Sequence, residues 1–106
     1  MSADVCEQLS EIFSALSHPK RVKILRTLQS GRKTVSEIAA AIELSQPSTS
    51  QHLQVLRSSG LVAFERVGNQ CYYWISDPRV LELCRIAQNL YSDRLRSASK
   101  TLITSE

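Results

Sequence analysis

Between Leu44 and Phe64 the chain carries polar side chains but not a single carboxylate. Hydroxyl and amide groups of this kind hydrogen-bond to base edges and phosphates, and a glutamine can bond an adenine through two hydrogen bonds. Isolated Ser/Gln-rich stretches are usually just solvated surface, but a stretch free of carboxylates favours a nucleic-acid contact. The candidate side chains for this contact are Gln46, Ser48, Ser50, Gln51 and Gln54, followed by Arg57, Arg66 and Asn69.

Positive charge is concentrated in the middle of the chain. Between His18 and Ile75 there are eight Lys or Arg residues and three acidic residues, a balance of +5, although the whole chain has a formal net charge of only +3. A local excess of positive charge attracts a polyanion such as double-stranded DNA. The charge distribution therefore agrees with the polar pattern.

The chain has a second group of residues that could bind a ligand or react, the three cysteines Cys6, Cys71 and Cys84. Their spacing is not that of a disulfide scaffold, and in a reducing cytoplasm we expect them to be thiols. Thiolates select soft ions such as As(III), Sb(III) or Cu(I), and thiols also react with oxidants. The alternative interpretation is that they only fill space, because free cysteine is among the most frequently buried residue types.

Helical periodicity and end signals predict five helices that would position these residues. His18-Pro19 and Asp77-Pro78 are typical of helix starts, and Ser45 precedes another such proline. Thr34 and Glu37 have the spacing of a capping box, in which each side chain satisfies a backbone N–H at the helix start. The predicted helices cover residues 5–16, 19–30, 35–41, 46–59 and 79 onward.

Residues 61–67 and 70–75, separated by Gly68-Asn69, predict a β-hairpin. Two short helices and a hairpin make a winged helix-turn-helix, in which the second helix (46–59) enters the major groove. The fold prediction is mainly α with this hairpin, in the order α-α-α-α-β-β-α, as one DNA-binding domain over residues 1–106. The last helix is apolar over more than one face, which predicts that it packs both on its own domain and on a second copy of the chain.

The chain resembles the ArsR/SmtB family of winged helix-turn-helix repressors. The resemblance is carried by Ser14-Ala-Leu-Ser-His-Pro-Lys-Arg21, Leu44-Ser-Gln-Pro-Ser-Thr-Ser-Gln-His-Leu53 and Ser59-Gly-Leu-Val62. It implies a repressor that forms a homodimer through its first and last helices, reads an inverted-repeat operator with the helix over 46–59, and releases it when an inducer binds. It also implies DNA contacts at Gln46, Ser50 and Gln51, whereas His52, beside the core residue Leu53, is interpreted as structural with a phosphate contact as the alternative.

The sequence departs from the inducer sites that the resemblance would suggest. Ser45-Gln46-Pro47 stand where arsenic repressors have cysteines, and Arg26 stands where sulfide sensors have one. The only histidines, His18 and His52, lie far upstream of the last helix, which argues against zinc there. A soft metalloid or a thiol oxidant acting on Cys6, Cys71 or Cys84 is left as a hypothesis, beside a regulator that senses no metal.

Other classes of protein fit the sequence less well. No apolar run approaches the roughly 20 residues of a membrane helix, and the N-terminus lacks a signal-peptide pattern, so we expect a cytoplasmic protein without membrane contact. A cysteine hydrolase would need Cys, His and an orienting group around a pocket, and we predict no enzyme activity. A winged-helix module that binds only proteins is the alternative to DNA binding.

Overall fold

The computed structural model describes the backbone of residues 3–104 and the side chains of residues 4–97. Within these residues the chain forms five α-helices, one 3-10 turn and one small sheet. The helices are α1 (Ala3–Ala15), α2 (Pro19–Thr27), α3 (Val35–Ile42), α4 (Gln46–Ser58) and α5 (Arg79–Thr104); the 3-10 turn is Leu28–Ser30; the strands are β1 (Lys33–Thr34), β2 (Val62–Val67) and β3 (Gln70–Ile75).

The helix starts follow the end signals of the sequence. The hydroxyl of Thr34 accepts a hydrogen bond from the backbone N–H of Glu37, and the Glu37 carboxylate accepts one from the N–H of Thr34. Ser45 caps α4 by accepting from the N–H of Ser48, and His18 caps α2 through its ring nitrogen. The capping box predicted for α3 is therefore confirmed.

The sheet has three antiparallel strands in the order β1-β3-β2, one more strand than the sequence predicted. β2 and β3 form the expected hairpin, with Phe64 opposite Tyr73. β1 pairs Lys33 with Tyr73 and Thr34 with Tyr72. This pairing fastens the start of α3, through its cap residue Thr34, to the hairpin.

One hydrophobic core joins the helices to the sheet. Its fully buried large side chains come from α2, α3 and α4, and Leu61, Val62 and Tyr73 add the hairpin. Among the residues with described side chains, Thr49 is the one polar residue that is buried, and its hydroxyl donates to the carbonyl of Ser45 at 2.8 Å. The fully buried large side chains are Ile24, Leu25, Ile38, Thr49, Leu53 and Leu56.

The outer helices leave large apolar side chains in contact with solvent. On α5, Leu90 is 65% exposed and Tyr91 59% exposed; on α1, Phe13 is 58% exposed. None of the described helices is at once long enough and apolar enough to span a membrane. The exposed apolar residues of the two helices are Val5, Leu9, Phe13, Ile86, Leu90, Tyr91 and Leu95.

Candidate nucleic-acid interface

Helix α4 has one face in the core and the opposite face in solvent. Thr49, Leu53 and Leu56 are completely buried, which confirms the core position predicted for Leu53. The rest of the helix surface presents the polar residues, with Ser48 half-buried and the others exposed. In the described part of the chain, the side chains of Gln46, Ser50, Gln51 and Gln54 take part in no hydrogen bond. These hydroxyl and amide groups are therefore available to an external ligand.

Arg57 connects the end of α4 to the hairpin. Its guanidinium carbon lies 4.0 Å from the centroid of the Phe64 ring, which stacks on Tyr73 at 5.6 Å. This cation–π contact stabilises the position of the hairpin beside α4. Arg57 is exposed, so the side chain predicted to contact phosphate also has a structural role.

The tip of the hairpin carries the other predicted contact residues. Gly68, with φ of 62°, supplies the left-handed conformation that the tight turn needs. Asn69 and Arg66 beside it are exposed. The tip therefore presents one cation and one amide on a two-stranded arm.

Arg32 is a structural residue of the wing that the sequence did not single out. Its guanidinium bonds the Glu65 carboxylate at 2.9 Å and lies 4.6 Å from the Trp74 ring centroid and 5.3 Å from that of Tyr72. It neutralises the carboxylate of the wing and ties the segment before β1 to the hairpin. The signal available in the sequence was the alternation of Tyr72 and Trp74 on one strand face. This alternation does not identify Arg32, which lies 33 residues before Glu65.

The positive charge of the middle region is largely unneutralised. Among the described residues between His18 and Ile75, Arg32 alone forms an ion pair with a carboxylate. The other ion pairs lie in the last part of the chain: Arg79 with Asp77, Arg85 with Glu82 and Arg96 with Asp93. The hydrogen bonds from Arg79 lower the pKa of Asp77 to about 2. The electrostatic potential around α4 and the hairpin is consequently positive.

His52 lies on the flank of α4 that faces the start of α2. Its ring packs on that of His18, with the centroids 4.4 Å apart, and its Nδ1 lies 3.4 Å from a guanidinium nitrogen of Arg21. Removal from water lowers the pKa of His52, and the nearby His18 and Arg21 lower it further. These contacts agree with the structural interpretation of His52.

The three cysteines lie on three different elements. Cys6 is exposed on α1, whereas Cys71 on β3 and Cys84 on α5 are half-buried against the core. Burial raises the pKa of the Cys84 thiol, which lowers the fraction of reactive thiolate. Within the described residues of one protomer, no group of three or more Cys, His, Asp or Glu side chains could hold a metal ion.

Comparison with known proteins identifies the family. Residues 18–63 match the family model described as "Bacterial regulatory protein, arsR family". An uncharacterised HTH-type transcriptional regulator of Methanocaldococcus jannaschii is 34% identical over 85 residues, which cover 79% of this chain and 96% of that protein. The chain belongs to the arsR family. Another relative, a transcriptional repressor SmtB homolog of Synechocystis, is 39% identical over 85 residues. This match covers 80% of this chain and 64% of that protein, so the chain spans slightly less than two thirds of that relative's length.

A solved winged helix-turn-helix structure confirms the fold prediction. The solution NMR structure of a homodimeric winged helix-turn-helix DNA-binding domain from Mycobacterium bovis superimposes with a TM-score of 0.82 at 32% identity. The superposition covers 90% of this chain and 88% of that one. This arsR-family chain is thus a winged helix-turn-helix transcriptional regulator, in which α3 and α4 are the helix-turn-helix and β2 and β3 are the wing.

Proposed function

We propose that this arsR-family regulator binds as a homodimer to an inverted-repeat operator and represses transcription from it. The observation that carries the proposal is the solvent face of α4, where four hydroxyl or amide side chains lack partners within the described chain. This face also has no carboxylate that would repel a phosphate group. Each protomer would place α4 in one major groove, with the two grooves about 34–36 Å apart along the DNA. The proposed cytoplasmic location follows from this role.

The contact residues divide into two classes in this proposal. Gln51, with Gln46, Ser50 and Gln54, reads base edges, because amides and hydroxyls match the donors and acceptors of the major groove. Ser48 lies at the edge of that face. The phosphate contacts come from Arg57 on α4 and from Arg66 and Asn69 on the wing.

Substitutions in the two classes should affect binding differently. We expect Gln51→Ala to reduce the discrimination between operator and random DNA by about 1–3 kcal/mol, because a base contact is lost. Arg66→Ala should weaken binding to operator and to random DNA alike. It should also reduce the slope of log K against log salt concentration by about 1 for each protomer. Fluorescence anisotropy on DNA selected with the wild-type protein measures both effects.

Gln29→Ala is the matched control, since it removes an exposed amide from the 3-10 turn and should change neither quantity. Equal loss on both DNAs for Gln51→Ala would contradict base reading by this residue. If the wild-type protein binds no DNA sequence, the alternative of a protein-interaction module replaces the proposal.

The proposal includes a thiol-dependent response to an inducer, either a soft metalloid or an oxidant. Cys6 and Cys84 lie on α1 and α5, the helices with exposed apolar residues, so dimer formation would bring thiols of two protomers toward each other. Single Cys→Ser variants at 6, 71 and 84 test this with arsenite, antimonite and peroxide added to the DNA complex. Release that is unchanged in all three variants would remove the thiol hypothesis and leave a regulator without thiol sensing.

A further inference from the structure

Arg21, near the start of α2, uses its guanidinium to contact two other helices. Its Nε donates to the carbonyl of Ala15 at 2.6 Å, and one terminal nitrogen donates to the carbonyl of Ser14 at 3.2 Å. These carbonyls belong to the last turn of α1, where backbone acceptors lack partners within the helix. The Ser14 carbonyl also accepts hydrogen bonds from the backbone N–H of Ser17 at 3.1 Å and from its hydroxyl at 2.6 Å. The side chain of Arg21 therefore caps α1 from the neighbouring helix.

The remaining terminal nitrogen of Arg21 reaches α4. It lies 3.4 Å from Nδ1 of His52. Since a guanidinium can only donate hydrogen bonds, this contact is a hydrogen bond when the ring is neutral with its proton on Nε2. Beside it, Nδ1 of His18 accepts from the backbone N–H of Lys20 at 3.1 Å.

We call the set of Arg21, His18, His52 and the carbonyls of Ser14 and Ala15 the Arg21 junction. It is where the end of α1, the start of α2 and the middle of α4 meet. Arg21 is half-buried, and its planar fork holds its partners in fixed directions, which a lysine cannot do. The junction therefore fixes the orientation of α4 relative to α1.

The two helices joined in this way face different partners. The residue before Ser14 is Phe13, which belongs to the exposed apolar surface of α1, and the residue before His52 is Gln51, on the solvent face of α4. In the proposed homodimer, paired through α1 and α5, the two copies of α4 would lie along the DNA, and a small rotation of α4 against α1 would change the distance between them. Only a rigid connection gives a dimer one preferred half-site spacing.

We propose that Arg21 is a positioning residue that sets the operator half-site spacing by coupling the dimer-forming helix α1 to the reading helix α4. The proposal rests on the proposed function, because it requires α4 to read DNA in a homodimer. Arg21 itself need not touch DNA, so its role differs from that of Arg57 or Arg66.

The test is the affinity of the protein for a selected operator and for versions of it with the half-sites moved by one or two base pairs. Arg21→Lys keeps the charge but cannot hold both α1 carbonyls and His52. We expect it to lower the preference for the best spacing by about tenfold, while sedimentation still shows a dimer and the salt dependence of log K is unchanged. Arg26→Lys is the matched control, since Arg26 is exposed on the same helix and without a carboxylate partner among the described residues.

A second pair of variants tests the junction from α4. His52→Asn keeps an acceptor near the position of Nδ1 and should retain the spacing preference, whereas His52→Leu removes the acceptor and should reduce it as Arg21→Lys does. Spacing preference that survives in both Arg21→Lys and His52→Leu would overturn the proposal. An equal loss of affinity in these variants for every half-site spacing and for random DNA would also overturn it, since that result would identify Arg21 as a phosphate contact. Failure of the wild-type protein to bind any DNA would instead contradict the proposed function.

Discussion

At the scale of single residues, the neutral form of the His52 ring matters for the contacts that it makes. Its Nδ1 can accept from Arg21 only while the ring is unprotonated. Removal from water, then the proximity of His18 and of Arg21, lower the pKa of His52. The native structure therefore favours the neutral ring over the charged one, and acidification acts against this contact.

The stability of the protein should depend on pH through His52. Because the pKa of this ring in the folded state lies below its unfolded value of about 6.5, its contribution is fully present above that value. The contribution is lost as the pH falls through the folded-state pKa. Urea unfolding at pH 7.5 and pH 5 should show a larger loss of stability on acidification for the wild-type protein than for His52→Asn. An identical loss in the two proteins would show that protonation of His52 does not control the stability in this pH range.

The role of His52 was only partly predictable from the sequence. Its place beside Leu53 on a helical pattern indicated a flank position, which the structure confirms. Its partner Arg21 lies 31 residues earlier in the chain, and no local pattern specifies such a contact. In contrast, the polar face of α4 was predictable residue by residue, because helical periodicity determines which side chains oppose the core.

At the scale of elements, the turn between α3 and α4 contains a strained residue. Glu43 adopts φ and ψ of 55°, the left-handed conformation, and its N–H bonds the carbonyls of Ala39 and Ala40. Residues with a Cβ adopt this conformation at a cost in free energy, and that cost is smaller for asparagine than for most other residues. The tight turn between the two helices therefore includes a residue type poorly suited to its backbone conformation.

Replacing Glu43 by asparagine should stabilise the protein. We expect a gain of about 0.5–1 kcal/mol in the free energy of unfolding, as a fraction of the roughly 1–2 kcal/mol that the left-handed conformation costs. Thermal or urea unfolding measures the change. Glu43→Ala is the control, because it removes the carboxylate but keeps the strain, and a similar gain in that variant would assign the effect to charge instead.

The elements themselves were predictable to the extent that their signals are local. The capping box of Thr34 and Glu37 lies within four residues, so the start of α3 could be read directly from the chain. The strand β1 was missed because it has only two residues, Lys33 and Thr34, and is defined by its pairing with β3 some forty residues away. A segment of two residues is too short to show the alternation of a strand, and its distant pairing partner cannot be recognised from the local sequence.

At the scale of the whole molecule, the outer helices expose apolar surface that a monomer would leave in water. Ile86, Leu90 and Leu95 of α5 are each more than half exposed. At 3.6 residues per turn they are spread over about half of the helix circumference, with Ile86 and Leu95 on opposite sides. Covering this surface with a second copy removes it from water and so favours association.

A charge placed on this surface should dissociate the dimer. We expect Leu90→Glu to give a monomer by sedimentation velocity and to weaken operator binding by at least tenfold, because a single α4 contacts only one half-site. Asn89→Asp adds the same charge at an exposed neighbouring position outside the apolar side of the helix and should remain dimeric. A Leu90→Glu protein that stays dimeric would show that the interface lies elsewhere.

Hydroxyl-radical footprinting on DNA selected by the wild-type protein tests whether a homodimer reads two half-sites with its two α4 helices. We expect two symmetry-related protected regions centred on sites about 10–10.5 base pairs apart, with protection of both lost in Leu90→Glu. A single protected half-site, or protection without symmetry, would contradict it.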